Sequence, residues 1–486
     1  MKTAGAAPSR LSKDPIWEPS FEDLKHYPHF DAPLKLSEIR KIVNDPIRVT
    51  QNSFFPLIQY EKRWQPFRVS KTNPKPDPKV RKIRFAARRD AYIYAKYRKI
   101  LSPLYESKLV ELGISDIPIA YRKITAGNSK GKCNIDFAKD AFDFVASNSN
   151  CFVITLDISK FFESLDHNRI QKIWTDLLGV KTLPADHQAV FKSLTAYRWV
   201  DRTAVYERLG YFGQKQSKNG TNIQGYLKPF KDMPKQLCLP KEFREKIAGS
   251  SKFPSIIHKN TDQFGIPQGT PVSDLIANMY LMHFDVYLRD MAIAYNGRAF
   301  RYSDDIMLVV NVSKQADAET IEKDVRSKIS YFGSELVIKE TKSSIHQFVA
   351  GKDNKLQCLH IKGAGKNGLE YLGFRFDGTR VFLRDSTVSN LKRKMTFAAR
   401  IRAEEHKKRY SDRTAAKLKC SFNYDHLFQT FMRVEEFDTT KSVKSWTFWT
   451  YARRASEAFG LCGKPILKQL KFLKSDGKRL VDRVLS

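Results

Sequence analysis

RYSDDIMLVV, Arg301–Val310, is the stretch on which the reading of this chain turns. Two adjacent acids follow Tyr302 and Ser303 and run straight into the apolar residues Ile306–Val310. Adjacent carboxylates repel each other, and apolar neighbours make them harder to solvate. A divalent cation between Asp304 and Asp305 would account for the arrangement. So would an ordinary surface hairpin with an acidic turn. RAFRY and IMLVV read as short strands on either side, which makes Ser303–Asp305 the tip of a hairpin.

The remaining 476 residues of the 486 have to decide between the two. That length allows several domains and a large core. The formal charge of +33 is far beyond what solubility needs. It points to a polyanionic partner, nucleic acid first and an anionic membrane surface second. No apolar run approaches a membrane span, and MKTAGAAPSRLSKDP lacks the hydrophobic centre of a signal peptide, so a cytoplasmic protein without membrane association is expected. Cys133, Cys151, Cys238, Cys358, Cys420 and Cys462 are scattered, with no C-x-x-C pair. That spacing disfavours structural zinc and fits reduced thiols.

Residues 1–50 read as an N-terminal extension. From Lys62 to Lys99 the chain turns basic, and SKTNPKPDPKVRKIRF, with prolines that forbid a helix, reads as an exposed basic hairpin or loop. Asp90 is the expected N-cap of a helix over AYIYAKYRKILSPLYESKL, which Pro103 ends or kinks. FVITLDISKFF, Phe152–Phe162, opens as a strand and RIQKIWTDLL follows as a helix. Residues from about 200 to 262 form a polar insertion with no assignable structure. PVSDLIANMYLMHFDVYLRDMAIAY has long helical periodicity. ETIEKDVRSKISYFGSEL is an amphipathic helix, and LEYLGFRFDGTRVFL reads as a hairpin turning at Asp377–Gly378. Beyond residue 385 the pattern is helical and strongly basic.

Three segments then line up in order: LDISKFFESLD with Asp157, FGIPQGTPVSDLIANMYL (Phe264–Leu281), and YSDD. Singly, Asp157 could cap a helix and GIPQGTP could be a plain turn. Together they resemble the reverse transcriptases, most closely the bacterial group that includes group II intron, retron and phage-defence enzymes. GIPQGTPVSDLIANMYL is similar to that group's GIPQGSP-type motif, YSDD to its Y-x-D-D hairpin, and ISKFFESL to its first acidic motif. LVIKETKSS, Leu336–Ser344, is similar to the lysine-bearing strand that follows, and LEYLGFRF to the primer-contacting hairpin. The matches span roughly residues 80–380.

The resemblance implies an α+β right-hand polymerase: fingers at 51–150, a palm of antiparallel sheet and helices at 151–380 carrying the insertion, and an α-helical basic thumb at 381–486. It implies an RNA-directed DNA polymerase that takes dNTPs and an RNA template, a dedicated noncoding RNA among the candidates, and yields DNA. Oligomerisation of the chain with itself stays open. Asp157, Asp304 and Asp305, with the Ile158 carbonyl, are the implied ligands of two Mg2+ ions, for which Mn2+ can substitute; such a pair would activate a primer 3′-hydroxyl and hold the triphosphate. Phe162 is the implied ring beneath the incoming sugar, colliding with a ribose 2′-hydroxyl. Phe162 and Tyr302 together argue for a DNA product over the RNA product of viral RNA polymerases. Gln268 is the implied contact to nucleotide and template, with Pro267 and Gly269 allowing close approach. Arg81 in VRKIRF is similar to the fingers residue that holds the triphosphate, with Lys75 and Lys79 on the approach. Lys342 resembles the lysine proposed to protonate pyrophosphate. Tyr302, Ser303 and Gly373 are the implied primer and template contacts.

Glu163 and Asp274 depart from the group's usual Asp and small residue, which suggests a divergent branch. Residues 381–486 hold 24 Lys plus Arg against 11 Asp plus Glu, as expected of a segment that grips a nucleic-acid backbone. No RNase H, integrase or endonuclease domain is expected within them. A free-standing enzyme of the abortive-infection, antiphage type is the implied role. Its rivals are a retron or intron enzyme acting on a dedicated RNA, and a non-catalytic maturase-like RNA binder. Tyr410, Tyr424 and Tyr451 are candidate priming hydroxyls.

Overall fold

The computed structural model describes residues 15–64, 78–125, 131–217, 220–351, 353, 355–363, 365, 367–428, 431 and 447–486. At its centre lies an antiparallel sheet. The strand Cys151–Ser159 runs between Asp305–Val310 and Ser344–Ala350, and Arg298–Tyr302 and Leu356–Gly363 extend the sheet on either side. Val337–Ile338 pairs with the far end of the central strand, at Ser159 and Ile158.

The central strand reads as a nearly continuous apolar run because both of its faces are covered. Successive side chains point to opposite faces. Phe152, Ile154 and Leu156 enter one core, together with Ile306, Leu308 and Val310 from the neighbouring strand. Cys151, Val153, Met307 and Val309 enter a second. The first core is closed by the helices Arg88–Glu111, His167–Leu178, Ser273–Tyr280 and Met282–Ala294. The second is closed by the helix Asn134–Ser147, the strands between Leu369 and Leu383, and helices from Asp385–Arg409 to Phe472–Leu485. This is the expected α+β class, with antiparallel sheets and a helical C-terminal region.

A second sheet has the order Lys79–Phe85, Leu57–Trp64, Arg198–Asp201, His258–Lys259. Its first pair is the basic hairpin, antiparallel with Arg81 opposite Lys62. The tip of that hairpin, including Lys75, lies outside the described residues. Residues 200–262, unassigned from sequence, begin and end in this sheet. Between its strands they form the helix Arg202–Arg208, the hairpin Phe212–Gln216 with Asn222–Tyr226, and short turns over 240–248. Val200, Val205, Tyr206, Leu237 and Ile247 join Phe30 and Ile58 in a third core. Residues 15–50, read as an extension, place Trp17, Ile39, Val43 and Val49 in the first core.

Local expectations are corrected at four places. Asp90 is not a cap: the helix starts at Arg88, and the buried Asp90 carboxylate accepts from Asn52 Nδ2 and Phe55 N at 2.9 Å each. Burial raises that carboxyl to about 7. Pro103 does not end the helix, which runs through it to Glu111. The long periodic stretch is two helices meeting at Leu281, because periodicity alone does not register a one-residue break. LEYLGFRFDGTRVFL is a three-stranded meander, since Leu372 (φ 46°) and Gly373 (φ 91°) make a further turn before the one at Asp377.

Candidate active site

Asp157 stands directly opposite Asp305 in the antiparallel pairing of the central strand, and Tyr302 stands opposite Asp305 in the hairpin. Residues opposed on antiparallel strands carry their side chains on the same face, so Asp157 and Asp305 share one. Ser303 and Asp304 make the reversal, with Ser303 held at φ 60°. Ile158 N donates to Asp304 O at 3.0 Å, which ties the turn to the central strand. The sequence thus brings its three acids together from positions about 150 residues apart.

Their charges are poorly compensated. Loss of hydration first, then Asp304 and Asp157, push the Asp305 carboxyl up to about 7, against the pull of Arg384 and Lys342. Burial and, after it, Asp157 hold Asp304 above the usual carboxylate range, while Arg81 acts in the opposite sense. Lys342 Nζ makes an ion pair with Asp157. Lys342 itself ends a 3-10 turn, Glu340–Lys342, and not the expected strand; the strand there stops at Ile338. Among the described residues no three His, Cys, Asp or Glu side chains converge on a common point as a metal cage would require. The donor set fits hard cations, being all oxygen. With Lys342 on Asp157, one carboxylate is turned to an ammonium.

Beneath the turn lies a second set of charges that the sequence did not reveal. Arg301 is fully buried and forms a two-pronged pair with Asp285, Nε to Oδ1 at 2.5 Å and Nη2 to Oδ2 at 2.7 Å. Its Nη1 donates to Asn278 Oδ1 at 3.2 Å and to Ser303 O at 3.1 Å. The guanidinium therefore braces the main chain of the turn from inside. Asn278 and Asp285 come from the two helices on either side of the Leu281 break.

The GIPQG segment is zipped to the residues after Asp157. Ile266 N donates to Phe162 O and Gly265 N to Leu165 O, both at 2.8 Å. Phe162 is 9% exposed, edge-on to Phe161 within the first core. Gln268 O accepts from Arg84 N at 2.9 Å. At Gly269 (φ 119°) a Cβ would sit 2.7 Å from Arg84 O, so only glycine allows the loop this close to the basic strand. Arg81 on that strand is exposed and lies over the Trp64 ring. Asp274 pairs with Arg98, whose Nη1 also reaches Pro271 O at 3.0 Å, so this departure from the group's pattern holds the loop in place.

Tyr302 is partly buried between Tyr121 and Phe137, with ring centroids 6.3 and 6.4 Å away. Gly373 faces open space in its turn, and its carbonyl accepts from Arg384 N at 2.9 Å. The tail tyrosines are engaged: Tyr451 OH accepts from Asn134 Nδ2 at 2.9 Å, Tyr424 OH bonds Asp482, and the Tyr410 ring stands 4.9 Å from that of His406. Beside the end of the central strand opens a cleft of about 550 Å³, lined by Lys82, Arg84, Lys160, Lys259 and Lys339. None of the three acids lines it.

No protein-family model matches the sequence, and no curated protein matches it. Solved structures with similarity to it include three structures of telomerase from two species. The Candida albicans enzyme in complex with a fragment of telomeric RNA is 11% identical, with 92% of this chain and 64% of that one covered and a TM-score of 0.36. The Candida tropicalis enzyme in the corresponding complex is 11% identical over 84% of this chain and 62% of that one, with a TM-score of 0.31. The apo Candida tropicalis enzyme truncated from its C-terminal domain is 12% identical over 63% and 53%, with a TM-score of 0.33. The chain thus spans 53–64% of the length of these telomerase chains.

Proposed function

We propose that this chain is an RNA-directed DNA polymerase that adds deoxynucleotides by phosphoryl transfer at Asp157, Asp304 and Asp305. The observation that carries the reading is the direct opposition of Asp157 and Asp305, with Asp304 beside them and two of the three carboxyls held above their usual range. A chain gains nothing in stability from such crowding, and divalent cations relieve it. Asp157, Asp304 and Asp305, with the Ile158 carbonyl, would hold two Mg2+ or Mn2+ ions, which when bound activate a 3′-hydroxyl and neutralise the triphosphate. Lys342 would then be released from Asp157. Arg81 and the lysines of the neighbouring cleft supply the attraction for a triphosphate, and Phe162, packed edge-on to Phe161, is the ring that the sequence resemblance assigns to reading the sugar.

On this reading residues 51–150 are the fingers, 151–380 the palm and 381–486 the thumb. The basic helix Asp385–Arg409 grips the backbone of an RNA template and its DNA product. A role in antiphage defence rests on the sequence resemblance alone. The test is extension of a DNA primer on an RNA template by the purified chain. Templated incorporation of dNTPs, lost on chelation of Mg2+, is expected. Absence of incorporation in Mg2+ and in Mn2+, with nucleic-acid primers and with none, would overturn the proposal. In an active chain, Phe162→Ala should shift the dNTP/rNTP preference toward ribonucleotides by roughly tenfold or more, the scale of a lost steric exclusion; an unchanged ratio would move sugar selection elsewhere.

A further inference from the structure

Tyr121 is an aromatic residue that neither the sequence motifs nor the three acids account for. It is held from three directions. Arg301 N donates to Ile117 O at 2.8 Å and Ile119 N to Arg301 O at 2.9 Å, so the segment bridges onto the strand that ends at Tyr302. Asn278 Nδ2 donates to Ala120 O at 2.7 Å. Arg98 Nη2 donates to Tyr121 O at 2.9 Å while its other nitrogen holds Pro271 O and Asp274. The outcome is a tyrosine at φ 60°, a region that a residue with a Cβ occupies only when its surroundings impose it.

All this anchoring does not serve burial. Tyr121 is 42% exposed. Its ring lies 6.3 Å from that of Tyr302 at a tilt of 46°. A packing ring would be covered. A casual surface ring would not be fixed in a strained backbone by a strand, a helix and an arginine. A rigid exposed ring beside a phosphoryl-transfer site is what a flat, apolar, π-faced ligand needs. Base stacking on such a ring tolerates any sequence because every base has a π-face.

We propose that Tyr121 is a stacking platform for a nucleobase at the acid cluster, a binding residue that positions the reacting end. This rests on the polymerase reading. The base can belong to the incoming nucleotide or to the strand end. The same network links the platform to the acids: Arg301 braces the Ser303 turn with its side chain and the Tyr121 segment with its main chain, so ring and carboxylates keep one spacing.

The experiment compares the full-length wild type with Tyr121→Gly and Tyr121→Phe. Glycine accepts φ 60° freely, so the first variant keeps the backbone and loses the ring; the second keeps the ring. Two quantities are read: the Kd of a fluorescent primer–template without nucleotide, and the KM for dNTP. Tyr121→Gly should weaken one or both by roughly 5- to 150-fold, the range for loss of one stacked base, with thermal stability not below wild type. Tyr121→Phe should return the value to within about twofold of wild type. A change in Kd assigns the base to the strand end, and a change confined to KM assigns it to the incoming nucleotide. Values for Tyr121→Gly within twofold of wild type in both would overturn the platform. If the wild type incorporates no nucleotide, the polymerase reading fails by itself, and the Kd comparison still decides Tyr121: weakened binding upholds the platform and unchanged binding overturns it.

Discussion

Two layers of charge face each other across the Tyr302–Asp305 turn, and they are built on opposite principles. Below it, Arg301 and Asp285 are both fully buried, matched one to one, and bonded at every prong of the guanidinium that the turn and its helices can reach. Above it, three carboxylates crowd together and only Asp157 has an ion-pair partner, Lys342, among the described residues. The lower layer is satisfied, so it can only hold shape. The upper layer is frustrated, so it can do chemistry once a partner arrives. A buried pair is seldom a net source of stability, and here its use is geometric: it fixes the turn on which the unsatisfied layer is mounted.

The comparison breaks most sharply at the upper layer's acids. Asp304→Asn or Asp157→Asn should cost on the order of 10²–10³-fold or more in turnover, the scale for removing one electrostatic contact to a transition state, while leaving the unfolding midpoint unchanged or higher. Near-wild-type turnover of either variant in Mg2+ would sink the assignment. The lower layer should respond the other way. Asp285→Asn leaves Arg301 buried without its counter-charge and should destabilise by about 3–5 kcal/mol, measured by urea denaturation. Asp285→Leu combined with Arg301→Met should recover much of that loss; if the double variant is worse than the single one, the pair stabilises outright and the contrast between layers is lost.

A smaller effect concerns pH. The Asp305 carboxyl is raised to about 7 in the fold, so its contribution to stability is present below its unfolded value near pH 4 and is lost as pH rises through 7. Because Asp305 is exposed to solvent, screening reduces the loss to about 1 kcal/mol. Thermal melts without divalent cations should therefore show Asp305→Asn more stable than wild type at pH 8 and equal to it near pH 4. Mg2+ should raise the wild-type midpoint more at pH 8 than at pH 6, and equal increments would count against cation binding at these acids. Smallest is the loss in Lys342→Met. The pair with Asp157 is half exposed, so its removal should cost under about 1 kcal/mol. Melts at graded Mg2+ should saturate at lower concentration in the variant, since the ion no longer displaces an ammonium.

The upper layer was legible in the sequence and the lower one was not, for a physical reason. Asp304 and Asp305 sit at a turn between two apolar runs, and Asp157 ends another; turn chemistry and strand patterning are local signals. Arg301 looked like a strand residue and Asp285 like one polar position on a long helix. Their pairing depends on how the helices at Leu281 pack under the hairpin, which no window of neighbouring residues encodes. Lys342 was found by its company and misplaced by one element, because LVIKETKSS has strand-like ends and a 3-10 turn in its middle. Tyr121 left no signal at all, since its strained backbone is imposed by Arg98, Asn278 and Arg301 from three distant segments. Residues 200–262 stayed opaque for a similar reason. Their strands are two to five residues long, and the first and last gain meaning only in the sheet that Leu57–Trp64 organises.

The two cores that sandwich the central strand draw on different spans of the chain. The first is filled by residues up to Ile345, whereas the second, which holds Val153, Met307 and Val309, also takes in Trp449, Leu473 and Leu485. A chain emerging at roughly 5–20 residues per second therefore leaves that second core incomplete for about 9–36 s after Asp157, Asp304 and Asp305 have all been made. During synthesis the acids exist before the floor beneath them is finished. The helices up to Phe472–Leu485, remote from the carboxylates in sequence, complete that floor.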